Sequence, residues 1–296
     1  MKQITTLFML FLASIFFISC TQADTSPNED DVCVGDNYPI TLDKYIKKIK
    51  RTPINNESAS RTSEFTYNEF NLLAKEREFT TAYNIEYLFD YQCNNNVSKI
   101  FNATYTYNSD GKIIYVETEG GSYSYDLIYN GQIILAKGKF VSLSKEITLE
   151  LNSENLIHKM SRIDSYATFD YDLNGNVTKV KDYDLNDALL NEYEIKYDQN
   201  PNPFYGQLKS TYLVGFIELF NLSSHLGLSY IRTYGFNSFY FPYFKNNIIS
   251  IEEITSTAPY KFLIENEFIY DSQNYPIIIE STLAGSPNIN YEIEYN

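Results

Sequence analysis

The chain has 296 residues, with 38 acidic and 23 basic side chains and a formal net charge of −15. That balance argues against nucleic acid and anionic headgroups as direct partners, because both are held by clustered Lys and Arg. With 28 Tyr, 20 Phe, no Trp and Asn throughout, the composition favours half-buried pleated surfaces joined by tight turns.

Residues 1–19 read as a signal peptide: Lys2 gives a positive start, and Leu7 to Ile18 form an apolar run broken only by Ser14. The run is too short to span a bilayer, which takes roughly 20 apolar residues. Phe17-Ile18-Ser19-Cys20 resembles the bacterial lipobox, which implies lipidation of Cys20, a membrane partner through that lipid anchor, and an outer-membrane address on the periplasmic or the outer face. Residues 20–37 are polar and acidic with almost nothing to bury, and form the expected flexible tether. Its Glu29-Asp30-Asp31 run resembles the acidic export signals of surface lipoproteins of the Bacteroidetes and equally suits a plain soluble linker. Residues 38–296 are expected to form a single β-rich domain.

Within that domain, Thr41 to Arg51 predicts a short N-terminal helix: Leu42, Tyr45, Ile46 and Ile49 fall at helical spacing and lysines fill the other face. A linker to Arg61 follows. Hairpin repeats are then expected over 64–204 and 247–296. The clearest is Phe169–Tyr183, where Ala167, Phe169 and Tyr171 share one face, Thr168 and Asp170 the other, and Asn174-Gly175 makes the turn. Copies align on Tyr followed by Asn or Asp, a turn, and an aliphatic run. They begin at Tyr67, Tyr91, Tyr107, Tyr129, Tyr171, Tyr197 and Tyr270, with a degenerate copy at Leu151 and an unfinished one at Tyr295. The predicted fold is mainly β: a large antiparallel sheet of consecutive hairpins, leaving at least one edge strand to be covered.

This pattern resembles the YD repeat of Rhs-type proteins, whose consecutive hairpins build one continuous sheet around a cargo. Eight copies are too few to enclose a protein. The chain is also similar to Bacteroidetes lipoproteins, largely of unknown function, that combine a lipobox, Tyr-Asp hairpins, an Asn-Pro-Phe segment and a Lys-Asn-Asn turn. Here those are Cys20, the repeats, Asn202-Pro203-Phe204 and Lys245-Asn246-Asn247. The resemblance implies a fold and an address more than an activity.

An insertion at 207–243 interrupts the repeats. Phe216 to Leu226 give one or two helical turns, and the aromatic loop Tyr234, Phe236, Phe239, Tyr240, Phe241 and Tyr243 is a candidate ligand-binding surface on which sugars could stack, or else a buried plug. Asp170, Asp172 and Asn174 with Gly175 fit the start of an EF-hand loop, but Lys181 stands where a bidentate Glu belongs, so turn chemistry explains them without a metal. Cys33 and Cys93 are candidates for a disulfide, since an exported chain meets oxidising conditions. With two histidines, His158 and His225, and no Gly-rich phosphate loop, no catalytic residue or cofactor is assigned. The expected function is a non-catalytic binding or structural module whose partner is a glycan or envelope protein. The alternative is an exported glycan hydrolase using two carboxylates.

Overall fold

A computed structural model of the chain describes residues 42–121, 123–140, 143–221, 243–255, 262–283 and 288–296. Eighteen strands run in chain order. The first eight are β1 (Ile46–Pro53), β2 (Arg61–Tyr67), β3 (Leu73–Phe79), β4 (Asn84–Tyr91), β5 (Val97–Ile100), β6 (Ala103–Tyr107), β7 (Ile113–Thr118) and β8 (Tyr123–Asn130). There follow β9 (Ile133–Phe140), β10 (Leu143–Leu151), β11 (Ile157–Ser161), β12 (Ser165–Tyr171), β13 (Val177–Asp184) and β14 (Leu189–Pro201). One helix, α1 (Tyr212–Asn221), precedes β15 (Asn246–Glu253), β16 (Phe262–Tyr270), β17 (Pro276–Leu283) and β18 (Ile289–Tyr295). Each strand pairs antiparallel with the next, and β1 also pairs with β18, Ile49 opposite Ile293. The hairpin series is therefore a closed 18-stranded barrel. The edge strand expected from the sequence does not exist, because the two terminal strands complete each other.

The expected N-terminal helix is a strand, β1. Ile46 and Ile49 are both fully buried, three residues apart, because the register slips between Ile46 and Lys48 where β1 meets β18. A β-bulge adds one residue to one strand, so two inward side chains lie three apart instead of two. Lys48 and Lys50 then point outward and pair with Glu294 and Glu292 at 3.0 and 3.4 Å. Similar slips let Leu73 and Glu76, Ile113 and Val116, Ile157 and Met160, and Val177 and Val180 all face inward at the same spacing.

The turns explain the Asn or Asp of the repeat. Asp172 accepts the backbone N–H of Asn174 and Asn176 through Oδ1 (2.8 and 2.9 Å), and Gly175 takes φ +81°. Asn68, Asn108, Asn152, Asp184 and Asp271 cap their turns in the same way. Asn174 does not share the positive φ that an Asn-Gly two-residue hairpin would require. The turn is instead built by the Asp172 carboxylate, with a single left-handed residue at Gly175.

The repeated tyrosines form a ladder of hydroxyls along the rim that carries these turns. Tyr67, Tyr91, Tyr129, Tyr171, Tyr197 and Tyr295 donate to the carbonyls of Ile46, Leu73, Ile113, Ile157, Val177 and Pro276, at 2.6–2.9 Å. Every acceptor is the first residue of the preceding strand. These bonds satisfy carbonyls just inside the rim, where a bulge has disturbed the regular ladder.

The barrel is filled. The inward side chains of the strands form one core that also contains Phe216, Ile217, Leu219 and Phe220 of α1. Phe169 meets Phe216 and Phe220 edge-on, with ring centroids 4.8 and 5.1 Å apart. The segment from Asn202 to α1 thus plugs the barrel at the turn-bearing rim. Asn202 binds the carbonyl of Phe244, and Gln207 accepts the N–H of Leu73 and donates to the carbonyl of Asn71. Outside, cross-strand ion pairs such as Arg77–Glu64 and Lys179–Glu192 cover the wall. Charged side chains facing lipid at mid-bilayer cost about 2–4 kcal/mol each. These ion pairs share the outer face with exposed apolar side chains, among them Leu88, Ile128 and Ile269.

Candidate functional site

A cleft of about 420 Å³ opens at the turn-bearing rim between the barrel wall and the plug. Its wall side comes from the arc β3 to β11: Leu72, Tyr91, Ile113, Tyr129, Ile134 and Leu151, with turn residues Asn95, Asn96, Lys112 and Asn155 around them. Its plug side comes from Gly206, Leu208, Lys209, Ser210, Tyr212 and Leu213. Leu208 holds φ +58°, a left-handed conformation that costs a residue bearing a side chain, at the point where the plug bends over the cleft.

The cleft lies where the tyrosine ladder is interrupted. Leu151 stands in place of a repeat tyrosine and offers no hydroxyl. Tyr107 turns its hydroxyl to Ser210 Oγ at 3.1 Å instead of to a strand carbonyl. Ser210 Oγ also accepts the N–H of Val97 at 2.9 Å, which fixes the plug to the wall at that point. Elsewhere the plug is sealed by amides: Asn176 Oδ1 accepts the N–H of Lys245 at 2.7 Å, and Asn246 Oδ1 receives Nδ2 of Asn174 and Asn176. Tyr270, the other departure from the ladder, donates to Asp198.

Two cations stand at the mouth. Lys112 and Lys209 are exposed, and Lys112 Nζ lies 5.3 Å from the centre of the Tyr129 ring, a cation–π distance. Among the described residues no acid lines the cleft, although acids outnumber bases 38 to 23 in the chain. Burial pushes the phenols of Tyr107, Tyr129 and Tyr212 up to about 12, and that of Tyr91 higher still. They remain neutral across the physiological range, with the hydroxyl protons of Tyr91, Tyr107 and Tyr129 already given to Leu73, Ser210 and Ile113. Beneath the mouth, Asn96 is fully buried, and neither its Nδ2 nor its Oδ1 has a protein partner.

The residues singled out in the sequence are not gathered here. Of the aromatic loop only Tyr243 lies within the described residues; Tyr234, Phe236, Phe239, Tyr240 and Phe241 lie outside them. Tyr243 packs on α1, its hydroxyl 2.8 Å from Thr211 Oγ1 and its ring where a Cβ on Gly215 would stand. Asp170 faces outward opposite Lys179, and Asp172 and Asn174 are engaged in the turn and with Asn246 and Lys245. Among the described residues no group of three His, Cys, Asp or Glu side chains is placed to hold a metal. His158 is exposed on β11, whereas Cys20, Cys33 and His225 lie outside the described residues. Cys93 is disulfide-bonded. Asn96, Lys112 and Lys209 were missed from the sequence. The signals that marked their arc were the tyrosine missing at position 151 and the Gln that replaces Asn or Asp at position 92.

No family model matches the chain, and no curated protein matches it. Among solved structures, a porin-like protein from Bacteroides uniformis is 13% identical with a TM-score of 0.44, over 85% of this chain and 98% of that one. A porin-like protein from Bacteroides vulgatus is 12% identical with a TM-score of 0.34, over 86% and 99%. The Tc holotoxin pore of Photorhabdus luminescens is 11% identical with a TM-score of 0.25, over 50% of this chain and 10% of that one. At these TM-scores and identities the names of those proteins do not carry over to this chain.

Proposed function

We propose that this chain is a non-catalytic binding module of the cell envelope, anchored by lipid at Cys20, with the rim cleft as its ligand site. The observation that carries the binding role is the cleft itself: two lysines and three tyrosines around an apolar wall, with no acid among its described lining residues. Such a site attracts an amphipathic anion to an apolar wall. The lipobox-like segment supports the address, and the charged outer wall fits a barrel held beside a membrane rather than across it. Among the described residues no helix is long and apolar enough to cross. A hydrolase needs two carboxylates about 5 to 10 Å apart around its substrate, and the described lining of this cleft supplies none.

Saturation-transfer NMR of the purified chain against small molecules extracted from envelopes tests the reading, with Lys112→Glu/Lys209→Glu as the comparison. Signals that vanish in the double variant are expected. Absent signals, or signals indifferent to the variant, refute the site, and release of reducing sugar from envelope glycans would replace binding by hydrolysis. For the address, Cys20→Ala should move the chain out of the membrane fraction, and continued membrane association refutes the lipid anchor.

A further inference from the structure

The groups lining the rim cleft differ in what they have left to give. Tyr91 and Tyr129 have spent their hydroxyl protons on the carbonyls of Leu73 and Ile113, and the Tyr212 hydroxyl is engaged with that of Tyr171. These half-buried tyrosines therefore present ring faces to the cleft, beside Leu151 and Leu213. Ser210 is the opposite case. Its Oγ accepts twice, from the N–H of Val97 at 2.9 Å and from the Tyr107 hydroxyl at 3.1 Å, and it donates to no described residue. A hydroxyl has two lone pairs and one proton, so only an acceptor can meet what Ser210 has left. Lys112 and Lys209 likewise have donors alone, and neither is ion-paired with a described residue. Unspent protons and positive charge beside a wall of rings and methyls select a negative acceptor with an apolar body.

We infer that the cleft takes single-chain acyl carboxylates, which deepens the binding-module reading and rests on it. The carboxylate is held by Lys112, Lys209 and the Ser210 hydroxyl, and the chain lies along Leu151, Leu213 and the tyrosine rings. The size agrees. A group the size of a water takes roughly 30 Å³, so the cleft of about 420 Å³ holds on the order of a dozen such groups, one acyl chain rather than two. The place of the opening agrees as well. Asp43 donates its N–H to the Tyr275 hydroxyl of the β16–β17 turn at 3.2 Å, so the chain joins the barrel at this same rim, 22 residues after Cys20. Under the proposed anchor, the cleft opens on the end of the barrel tied to a source of acyl chains. A sugar would bring several hydroxyls against ring faces and methyls, at a cost in desolvation.

Isothermal titration of the purified full-length chain with octanoate, decanoate, dodecanoate, decanol and glucuronate, each below its micelle-forming concentration, decides the matter. Decanoate should bind, and each added methylene should tighten binding by about fourfold at most, the value of a fully buried CH₂. Decanol should bind roughly three- to tenfold more weakly than decanoate, the value of two exposed charge contacts. Lys112→Gln/Lys209→Gln, confined to exposed side chains, should bring decanoate down to the level of decanol and leave decanol unchanged. Ser210→Ala should also weaken decanoate and spare decanol, while a thermal melt reports the separate cost of unpairing the Val97 N–H. Affinity that does not rise from octanoate to dodecanoate overturns the proposal. So does equal binding of decanoate and decanol, or decanoate binding that is indifferent to the lysine variant. Lysine-dependent binding of glucuronate without binding of the acyl series also overturns it but leaves the cleft a ligand site. If none of the five binds, the proposal falls and the binding-module reading loses its support as well.

Discussion

Glu76 gives a test of the barrel interior that needs no knowledge of the ligand. A bulge turns it inward beside the fully buried Leu73, and it is 3% exposed. Desolvation, with a smaller push from Glu78, raises its carboxyl from 4.5 to about 8. The folded state therefore holds a proton that the unfolded chain releases. Its contribution is intact at low pH, declines as pH rises past the unfolded value, and levels off above the folded one. At about 1.4 kcal/mol per pH unit, the full span is roughly 4–5 kcal/mol, an order-of-magnitude figure. Glu76→Gln keeps the shape and removes the titration. The variant should match the wild type near pH 3, exceed it by about 3 kcal/mol at pH 7, and show a flatter profile to pH 9. Urea melts followed by circular dichroism at each pH supply the numbers. Parallel profiles for the two proteins would show that Glu76 reaches water in the folded state and that the interior is not dry at β3.

Four other outcomes follow from contacts already described. Tyr197→Phe should cost about 1–2 kcal/mol by leaving the Val177 carbonyl unpaired, whereas Tyr166→Phe, which loses an exposed hydroxyl's bond to Asp187, should stay within about 0.5 kcal/mol; paired melts decide. Gly138→Val should destabilise by about 1–3 kcal/mol or more, because its Cβ would stand 2.3 Å from the Tyr125 ring, and near-ultraviolet dichroism should show the displaced tyrosine. Asp172→Ala should cost about 1–3 kcal/mol in a denaturant melt through the loss of its turn bonds, with Asp172→Asn milder. Intact mass with and without reductant, followed by peptide mapping, should identify Cys33 as the partner of Cys93; a Cys93 thiol alkylated without reduction would contradict the bridge.

The hairpins were legible because Tyr, the following Asn or Asp, and the left-handed residue three places later each perform a local task. Ala167, Phe169 and Tyr171 face the core while Asp170 is exposed, as alternation requires. Around Ile46 the sequence misled for a definable reason: a bulge produces the same three-residue spacing as a helix, and the lysines between suit either element. Closure was not legible, since it depends on Ile49 meeting Ile293 across almost the whole chain. Nor was the cleft, whose parts come from separate turns and a plug distant in sequence.

The seam between β1 and β18 also bears on how the molecule assembles and how it fails. Neighbouring hairpins need only short excursions of chain to form, so they can zip in order from either side. The seam joins segments nearly 250 residues apart, and its closure entropy is recovered only when the last strand arrives. A half-finished ring presents two unsatisfied strand borders at once, each a template for another chain's border. Deleting β18 would not yield a slightly smaller barrel; it would leave β1 and β17 as sticky margins and convert a monomeric closure into an intermolecular one.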